Sequence, residues 1–247
     1  MLARSWPAKN LLLSSLVGLA RVAALLGKTG EQKSSGVSMT SAAQDFLKTL
    51  SDEQRGQTTF AYDDDERLNW HFIPRERKGL PLRDLEGESL RAAHRLIASG
   101  LSQAGYDQAI DVMSLEELLY LLEPGDRTER RERRDPKKYY LSVFGDPKND
   151  GTWGWRVEGH HLSLNYSITD GEVVASTPEF FGANPAYVNA GPDREIRVLG
   201  IEEDLAREIL KLCSPEQQQA AWIDRKAPDD LRGGGAPTPE ATVPVGL

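Results

Sequence analysis

The segment from Tyr139 to Thr177 constrains the fold of this chain most, because it is rich in aromatic and β-branched residues and contains two hairpin signals. Thr169-Asp170-Gly171-Glu172 is typical of a type I′ turn, since Asp-Gly accepts positive φ at both central positions. Glu158-Gly159-His160-His161 is typical of a second two-residue turn, with Gly159 at the first central position as type II′ requires. The segment therefore predicts an antiparallel meander.

Each turn fixes the register of the strands that it joins, because side chains alternate between the two faces of a sheet. Both registers place the large apolar residues on one face, which predicts that the sheet is covered on that side and open on the other. A strand over Tyr139–Phe144 is expected at one edge. The predicted pairs are Ile168 with Val173, Tyr166 with Ala175, Val157 with Leu162, Trp155 with Leu164, and Trp153 with Tyr166.

Helical spacing of apolar residues predicts helices on both sides of the meander in the sequence. Together with the meander, they predict an α+β fold in which an antiparallel sheet is packed on one face by helices. The expected helices run from Ser41 to Leu50, from Leu90 to Leu101, over Ala109–Met113 and Ser114–Leu122, and over Glu202–Ile223, with capping boxes at Ser51/Gln54 and at Ser114/Glu117.

Composition excludes several classes of protein. The chain has 247 residues and a formal charge of -8, so the charge gives no support to nucleic-acid binding. Its one cysteine, Cys213, rules out intramolecular disulfides and cysteine-only zinc sites. Walker, Rossmann and HExxH motifs are absent from the sequence, so nucleotide and zincin chemistry has no positive support.

The N-terminus differs from the rest of the chain. Residues Leu11–Leu26 form an apolar run behind two basic residues, as in a secretory signal, but Arg21 interrupts the run. The run is too short for a transmembrane helix. We therefore expect a leader or extension over residues 1–38, an α+β domain over 39–232 and a Gly/Pro-rich linker or truncated tail over 233–247. A cytoplasmic location is expected, with export through the N-terminal segment as the alternative.

The polar face of the predicted meander carries the candidate catalytic set, in which His161 and Glu158 act as an acid–base pair and Arg156 grips an anionic group. The registers place Glu158 beside His161 and Arg156 beside Ser163. The competing interpretation is a solvated sheet face with a cross-strand salt link. Ser163 and Asn165 on the same face, and Trp70 beside it, are the candidate substrate-binding residues.

A divalent metal is a further hypothesis, with His71, His160 and His161 as its ligands. Adjacent strand residues point to opposite faces, which argues against chelation by His160 and His161 from a regular strand. Two functional hypotheses follow: a hydrolytic or metal-assisted enzyme acting on a small molecule, and a non-catalytic ligand-binding or structural module. The basic run Gly125–Lys138 is expected to be a solvated loop or, alternatively, an anion-binding patch.

Phe46–Gln54 resembles Ile209–Gln217, since each combines an apolar pair, a lysine and a Ser-x-Glu-Gln cap. If these segments are repeats, the second copy ends before its own sheet. Helix residues such as Leu205 and Leu212 would then expose an apolar surface, which predicts self-association of a truncated chain.

Several motifs resemble a known bacterial family, domain of unknown function 3500. The resemblance extends over Ser41–Leu231, and its most specific part is the tryptophan–histidine string Trp153–Asn165. Trp70-His71-Phe72, Gly79-Leu80-Pro81-Leu82 and Arg134-Asp135-Pro136 add to it. Members of that family continue beyond the end of this sequence, so the resemblance implies that the chain is the N-terminal part of a typical member. It implies no reaction, because none is assigned to the family.

Overall fold

The structure is a computed structural model that describes residues 34–189, 191–192, 194–224, 226, 229 and 234–236. The apolar run 11–26 and most of the tail 233–247 lie outside the described residues. The described residues from Ser35 onward group as one compact unit. Among the described helices, none has the length and apolar character that crossing a membrane requires.

A mostly antiparallel sheet forms the centre of the fold, as predicted. Its strands follow the order β1-β3-β4-β5-β6, while β2 also pairs with β3, and β7 with β5. Only β1 runs parallel to its neighbour β3. The strands are β1 (Thr59–Phe60), β2 (Leu80–Pro81), β3 (Tyr140–Phe144), β4 (Thr152–Gly159), β5 (Leu162–Thr169), β6 (Glu172–Ala175) and β7 (Glu179–Phe181), and a separate ribbon pairs β8 (Val188–Asn189) with β9 (Glu195–Ile196).

Helices pack on the apolar face of this sheet, which confirms the α+β class. α1, α3 and α4 share one hydrophobic core with the inward side chains of β3, β4 and β5. The described helices are α1 (Ser35–Lys48), α2 (Asp52–Thr58), α3 (Gly87–Ser99), α4 (Gln103–Leu122), α5 (Arg127–Arg133), α6 (Gly200–Leu212) and α7 (Pro215–Ala221), with 3₁₀ turns at Asp65–Leu68 and Leu82–Asp84.

The first hairpin signal is confirmed, with one correction. Asp170 and Gly171 both have positive φ, and Ile168 lies opposite Val173. Ala175 pairs with Ser167 instead of Tyr166, because the register shifts between Ser167 and Ile168. The extra residue of a β-bulge has no counterpart in an alternating sequence pattern.

The second turn is displaced from its predicted position. Gly159 pairs with Leu162, so His160 and His161 are the two turn residues, and His161 is the one with positive φ (58°). A Cβ on Gly159 would lie 2.3 Å from the Tyr139 ring, so this glycine is needed for close packing rather than for the turn. The predicted register is therefore wrong by two residues: Val157 faces Leu164, Trp155 faces Tyr166 and Trp153 faces Ile168.

A shift of two residues leaves every side chain on its predicted face, because the strand period is two. The large apolar residues of both strands are accordingly buried in the helix-covered core, as predicted. Trp155 stacks on Tyr166 with ring centroids 4.7 Å apart, and the Tyr166 hydroxyl donates to the Gly100 carbonyl at the end of α3 (2.8 Å). These contacts join the sheet to the helical layer.

Two helix boundaries differ from prediction. α1 begins at Ser35, six positions before Ser41, since its first turn packs on the β5–β6 turn, where a Cβ on Gly36 would meet the Gly171 carbonyl oxygen. α4 is continuous: Ser114 is no cap, because its hydroxyl donates to the Ile110 carbonyl within the helix (2.8 Å). The capping box at Ser51 is confirmed.

The predicted helical region Glu202–Ile223 consists of α6 and α7, and the Ser-x-Glu-Gln cap of the second repeat segment is confirmed as a capping box at the start of α7. α6 has no buried residue, and its apolar stripe is exposed, with Leu205 at 55% and Leu212 at 79%. The apolar surface expected on this helix is therefore present. Self-association stays a prediction.

We expect Trp155→Ala to lower the free energy of unfolding by about 3–5 kcal/mol, because it removes a fully buried indole and leaves a cavity beside Tyr166. Urea denaturation measures this change. Val174→Ala is the control, since Val174 lies in the same sheet with its side chain exposed. An unchanged midpoint for Trp155→Ala would contradict the core assignment.

Candidate functional site

The polar face of β4 is buried, which corrects the expectation of an open face. The side chains of Arg156 and Glu158 are 1% and 2% exposed beneath the segment 61–78. Arg156 donates to the Glu66 carbonyl oxygen (2.9 Å) and to its carboxylate (2.8 Å). Glu66 belongs to the 3₁₀ turn after β1, so this double contact fixes the covering segment on the sheet.

Glu158 completes the buried network. One carboxylate oxygen accepts a hydrogen bond from the His71 backbone N–H (2.8 Å), and the other lies 3.4 Å from Arg156 Nε and 3.6 Å from Arg77 Nε. Burial raises the pKa of this carboxyl, while Arg156, the His71 N–H and Arg77 act to lower it. Arg77 also donates to the carbonyls of His71, Ile73 and Gly159.

These contacts differ from the predicted acid–base pair. Glu158 lies opposite Ser163, and the ring of His161 is no partner of its carboxylate in the described part of the chain. Arg156 lies opposite Asn165. The physical reason is the displaced turn, which moves His161 out of the ladder. In these contacts Arg156 and Glu158 anchor the covering segment on the sheet. A catalytic role for the two residues stays a prediction.

Of the predicted substrate-binding residues, Ser163 and Asn165 lie on β5, and Trp70 belongs to the covering segment itself. Ser163 is fully buried, and its hydroxyl accepts from the Asn165 amide, which also donates to the Pro178 carbonyl (2.7 Å). Trp70 is buried against Phe72 and Phe180. Its indole N–H donates to the Ala236 carbonyl (3.3 Å). These contacts explain all three positions structurally.

His161 is held in the turn by its backbone. Its N–H donates to the Phe72 carbonyl (2.7 Å), and its carbonyl accepts from the Gly182 N–H (2.8 Å). Its Nδ1 is buried and has no hydrogen-bond partner among the described residues. Burial and the neighbouring His160 lower the pKa of the imidazole to about 4. The ring is therefore neutral at pH 7.

The ring of His160 differs from that of His161 in its partner, because it contacts an acidic side chain. Its Nδ1 is in short contact with the carboxylate of Glu116, a residue of α4 that is itself only 3% exposed. Its backbone carbonyl accepts from the Tyr139 hydroxyl (2.8 Å). Burial raises the pKa of Tyr139 well above its usual range, so the phenol stays a donor. Glu116 on α4 thus holds the imidazole, and the Tyr139 hydroxyl holds the backbone of the same residue.

Arg134 compensates the charge of Glu116. Its Nη1 lies 3.5 Å from the Glu116 carboxylate and 3.3 Å from His160 Nδ1, and its other nitrogens bind Glu123 (2.6 and 3.0 Å). Hydrogen bonds from Arg134, and from Arg133 beside it, lower the pKa of Glu123 to about 2. The buried carboxylate of Glu116 therefore has both an imidazole and a guanidinium within reach, as a buried charge requires.

His160 and Glu116 are among the residues that line an open cleft with a volume of about 870 Å³. Tyr139 and Tyr140 form part of its wall, while the segment 74–77 and α5 border it on two sides. Neither Arg156, Glu158 nor His161 lines this cleft. The cleft therefore contains a histidine in contact with a buried carboxylate, as a general base requires. The pair is His160 with Glu116, whereas the predicted pair was His161 with Glu158.

The predicted metal ligands do not form a site. The rings of His160 and His161 are 4.2 Å apart, but His160 is engaged by Glu116. Throughout the described ranges, no group of three His, Cys, Asp or Glu residues is arranged to hold a metal ion. The arrangement of the described residues thus gives the metal hypothesis no support.

Sequence reasoning missed Glu116, although a signal for it exists. Glu116 follows Val112 and Met113 and precedes Leu119 at helical spacing, so the apolar stripe of α4 carries a carboxylate. A charged residue on a buried helical stripe implies a buried partner. Arg134 appears in a motif of the family resemblance, but the sequence does not show that it meets Glu116.

We expect Arg156→Met to destabilise the protein by about 3–5 kcal/mol, because it removes the shared partner of two buried carboxylates and leaves Glu66 and Glu158 only their longer ion pairs with Lys78 and Arg77. Urea denaturation gives the value. Arg95→Met is the control and should change stability little, since it breaks an ion pair on the surface. Equal stabilities of the two variants would show that the buried network does not anchor the covering segment.

We also expect His161 to make the protein less stable in acid. The unfolded imidazole takes up a proton near its ordinary pKa of 6.5 and the folded one only near a pKa of about 4, so the unfolded state binds more protons between these values. Stability should therefore fall as the pH decreases through this window. Glu158 acts in the opposite direction, because its folded pKa is raised.

The variant His161→Asn should flatten this fall, since asparagine tolerates positive φ and does not titrate. Urea denaturation at about pH 7 and about pH 4.5 measures the difference in proton binding. His71→Asn is the control, because the ring of His71 is less buried. An equal acid dependence of His161→Asn and wild type would contradict the assignment.

Comparison with known proteins identifies the family of this chain but no function. No curated protein and no solved structure is significantly similar to it. Residues 32–246 match the family described as protein of unknown function (DUF3500), which is nearly the whole chain. The protein is therefore a member of the DUF3500 family.

Proposed function

We propose that this protein is an enzyme in which His160 acts as general base and acid, oriented by Glu116, on a small molecule bound in the cleft. The observation that carries the proposal is the contact of a buried carboxylate with a histidine that lines a cleft of about 870 Å³. This proposal moves the acid–base role from His161 and Glu158 to the neighbouring histidine.

The chemistry follows from the contact at Nδ1. A carboxylate on Nδ1 favours the tautomer with a proton on that nitrogen, which leaves the lone pair of Nε2 to accept a proton. The same carboxylate keeps the ring in one orientation while the proton is accepted and returned at Nε2, so Glu116 assists both halves of a proton transfer. Arg134 and the Tyr139 hydroxyl position the pair and need not touch a substrate.

A hydrolytic reaction fits this arrangement best. The base removes a proton from water as it attacks, and the imidazolium then returns the proton to the leaving group. The cleft is open to solvent on one side, so water has access to it. His161 supports the turn backbone through two hydrogen bonds and leaves the reacting position to His160.

A non-catalytic ligand-binding module is the alternative, and one observation favours it. The charged side chains around the cleft are largely paired internally, as Arg83 is with Glu132 and Arg133 with Glu123. Charges that are paired with each other stabilise the wall of the cleft and need take no part in a reaction. Turnover distinguishes the two functions.

We expect His160→Asn to reduce turnover by about 10²- to 10⁴-fold, the usual contribution of a general base. Glu116→Gln should cause a smaller loss, because the imidazole remains but loses its orienting charge. The measurement is the kcat of wild type and variants on whichever member of a panel of nitrophenyl esters, anilides and phosphate esters the protein hydrolyses. Circular dichroism verifies that both variants fold.

His94→Gln is the matched control, because His94 lies on α3 and hydrogen-bonds to Tyr106 away from the cleft. Its turnover should equal that of wild type. A loss in His161→Asn without a loss in His160→Asn would return the catalytic role to the predicted residue. Binding of a panel member without its turnover would favour the module.

A further inference from the structure

The short helix α5 forms one wall of the cleft without entering the core. It supplies Thr128, Glu129, Glu132 and Arg133 to the cleft lining, and none of its seven residues is buried. The sequence region 125–138 is thus a helix with short flanks instead of the predicted loop. What holds this helix in place is polar contact.

The arginines of α5 bind the end of α4. Arg130 donates to the Tyr120 and Glu123 carbonyls, Arg131 pairs with Glu117 and lies over the Tyr120 ring, and Arg133 pairs with Glu123. These contacts give Arg130, Arg131 and Arg133 partners within the chain. They lie on the α4 side of the helix.

Glu132 is held by different residues. Its two carboxylate oxygens accept from Arg83 Nη1 at 2.9 and 3.0 Å, and one of them also accepts from Lys138 Nζ at 3.2 Å. Arg83 lies in the 3₁₀ turn after β2, and Lys138 lies just before β3. All three residues line the cleft that contains His160.

We propose that Arg83 and Lys138 form a carboxylate-binding site of the cleft, which Glu132 fills until an acidic group of the substrate replaces it. This inference rests on the proposed function, because it names the substrate class of the same site: small molecules with a carboxylate. Two cations converging on one carboxylate oxygen are the recognition geometry for such a group.

Replacement of the Glu132 carboxylate by the carboxylate of a ligand costs little free energy. The Glu132 side chain is 63% exposed, and exposed ion pairs contribute little to stability. Displacement of Glu132 requires only that its exposed side chain rotates away, because Arg130, Arg131 and Arg133 keep α5 on α4, and the ligand's acid would then lie between Arg83 and Lys138.

Succinate is the probe, compared with sodium chloride at equal ionic strength so that general screening cancels. Chemical-shift titration measures its affinity for wild type, Glu132→Gln, Arg83→Gln and the control Arg91→Gln, whose ion pair with Glu88 lies on α3. Hydrogen exchange over residues 127–133 verifies that α5 stays folded in each variant. Neither measurement depends on turnover.

Glu132→Gln should bind succinate about three- to fivefold more tightly than wild type, because the internal competitor is weakened, and its α5 amides should keep their exchange rates, since the arginines of α5 still bind α4. Arg83→Gln should bind about fivefold more weakly or not at all, and Arg91→Gln should match wild type. Equal affinities in wild type, Glu132→Gln and Arg83→Gln, or no binding by any of them, would overturn the site.

The proposed function fails in a distinguishable way. If His160 is not the general base, His160→Asn keeps its turnover while the succinate affinities retain the expected order. If the carboxylate site is wrong, the succinate order is lost while His160→Asn still abolishes turnover.

Discussion

Arg156 brings two carboxylates to the interior of this protein, and the architecture of one face of the sheet follows from that contact. The strand residue Glu158 and the loop residue Glu66 repel each other unless a guanidinium lies between them. Their shared partner joins a segment with little regular structure to the most regular part of the fold. Because a buried ion pair costs desolvation, its benefit lies in specifying where that segment rests rather than in added stability.

The His160-His161 turn connects the anchored face to the cleft. The two rings lie 4.2 Å apart, yet one imidazole is enclosed near Gly182 and the other meets Glu116. The backbone of His161 hydrogen-bonds to the covering segment, and that of His160 to Tyr139. The covering segment therefore contributes to the position of a catalytic candidate that its own side chains do not touch.

Sequence patterns predicted the features that depend on neighbours along the chain. The meander, its buried face and the Ser51 cap follow from alternation, turn chemistry and capping, which are local. The turn at Gly159 was predicted wrongly because a glycine required by the Tyr139 ring has the same appearance as one required by positive φ. The Glu116–His160 contact was not predicted, because its partners come from a helix and a hairpin whose docking no local pattern records. The family resemblance was confirmed, yet it identifies no site residue.

Glu116 and His160 are 44 positions apart in the chain, and they belong to two different elements, α4 and the β4–β5 hairpin. The isolated hairpin contains the imidazole without its acid, and the isolated helix contains the acid without its imidazole. The pair exists only while α4 remains docked on the sheet. Partial loosening of the helical layer would thus separate the two groups while the strands stay paired. Under the proposed function, catalysis would then be lost at a milder perturbation than secondary structure and would report the integrity of tertiary packing.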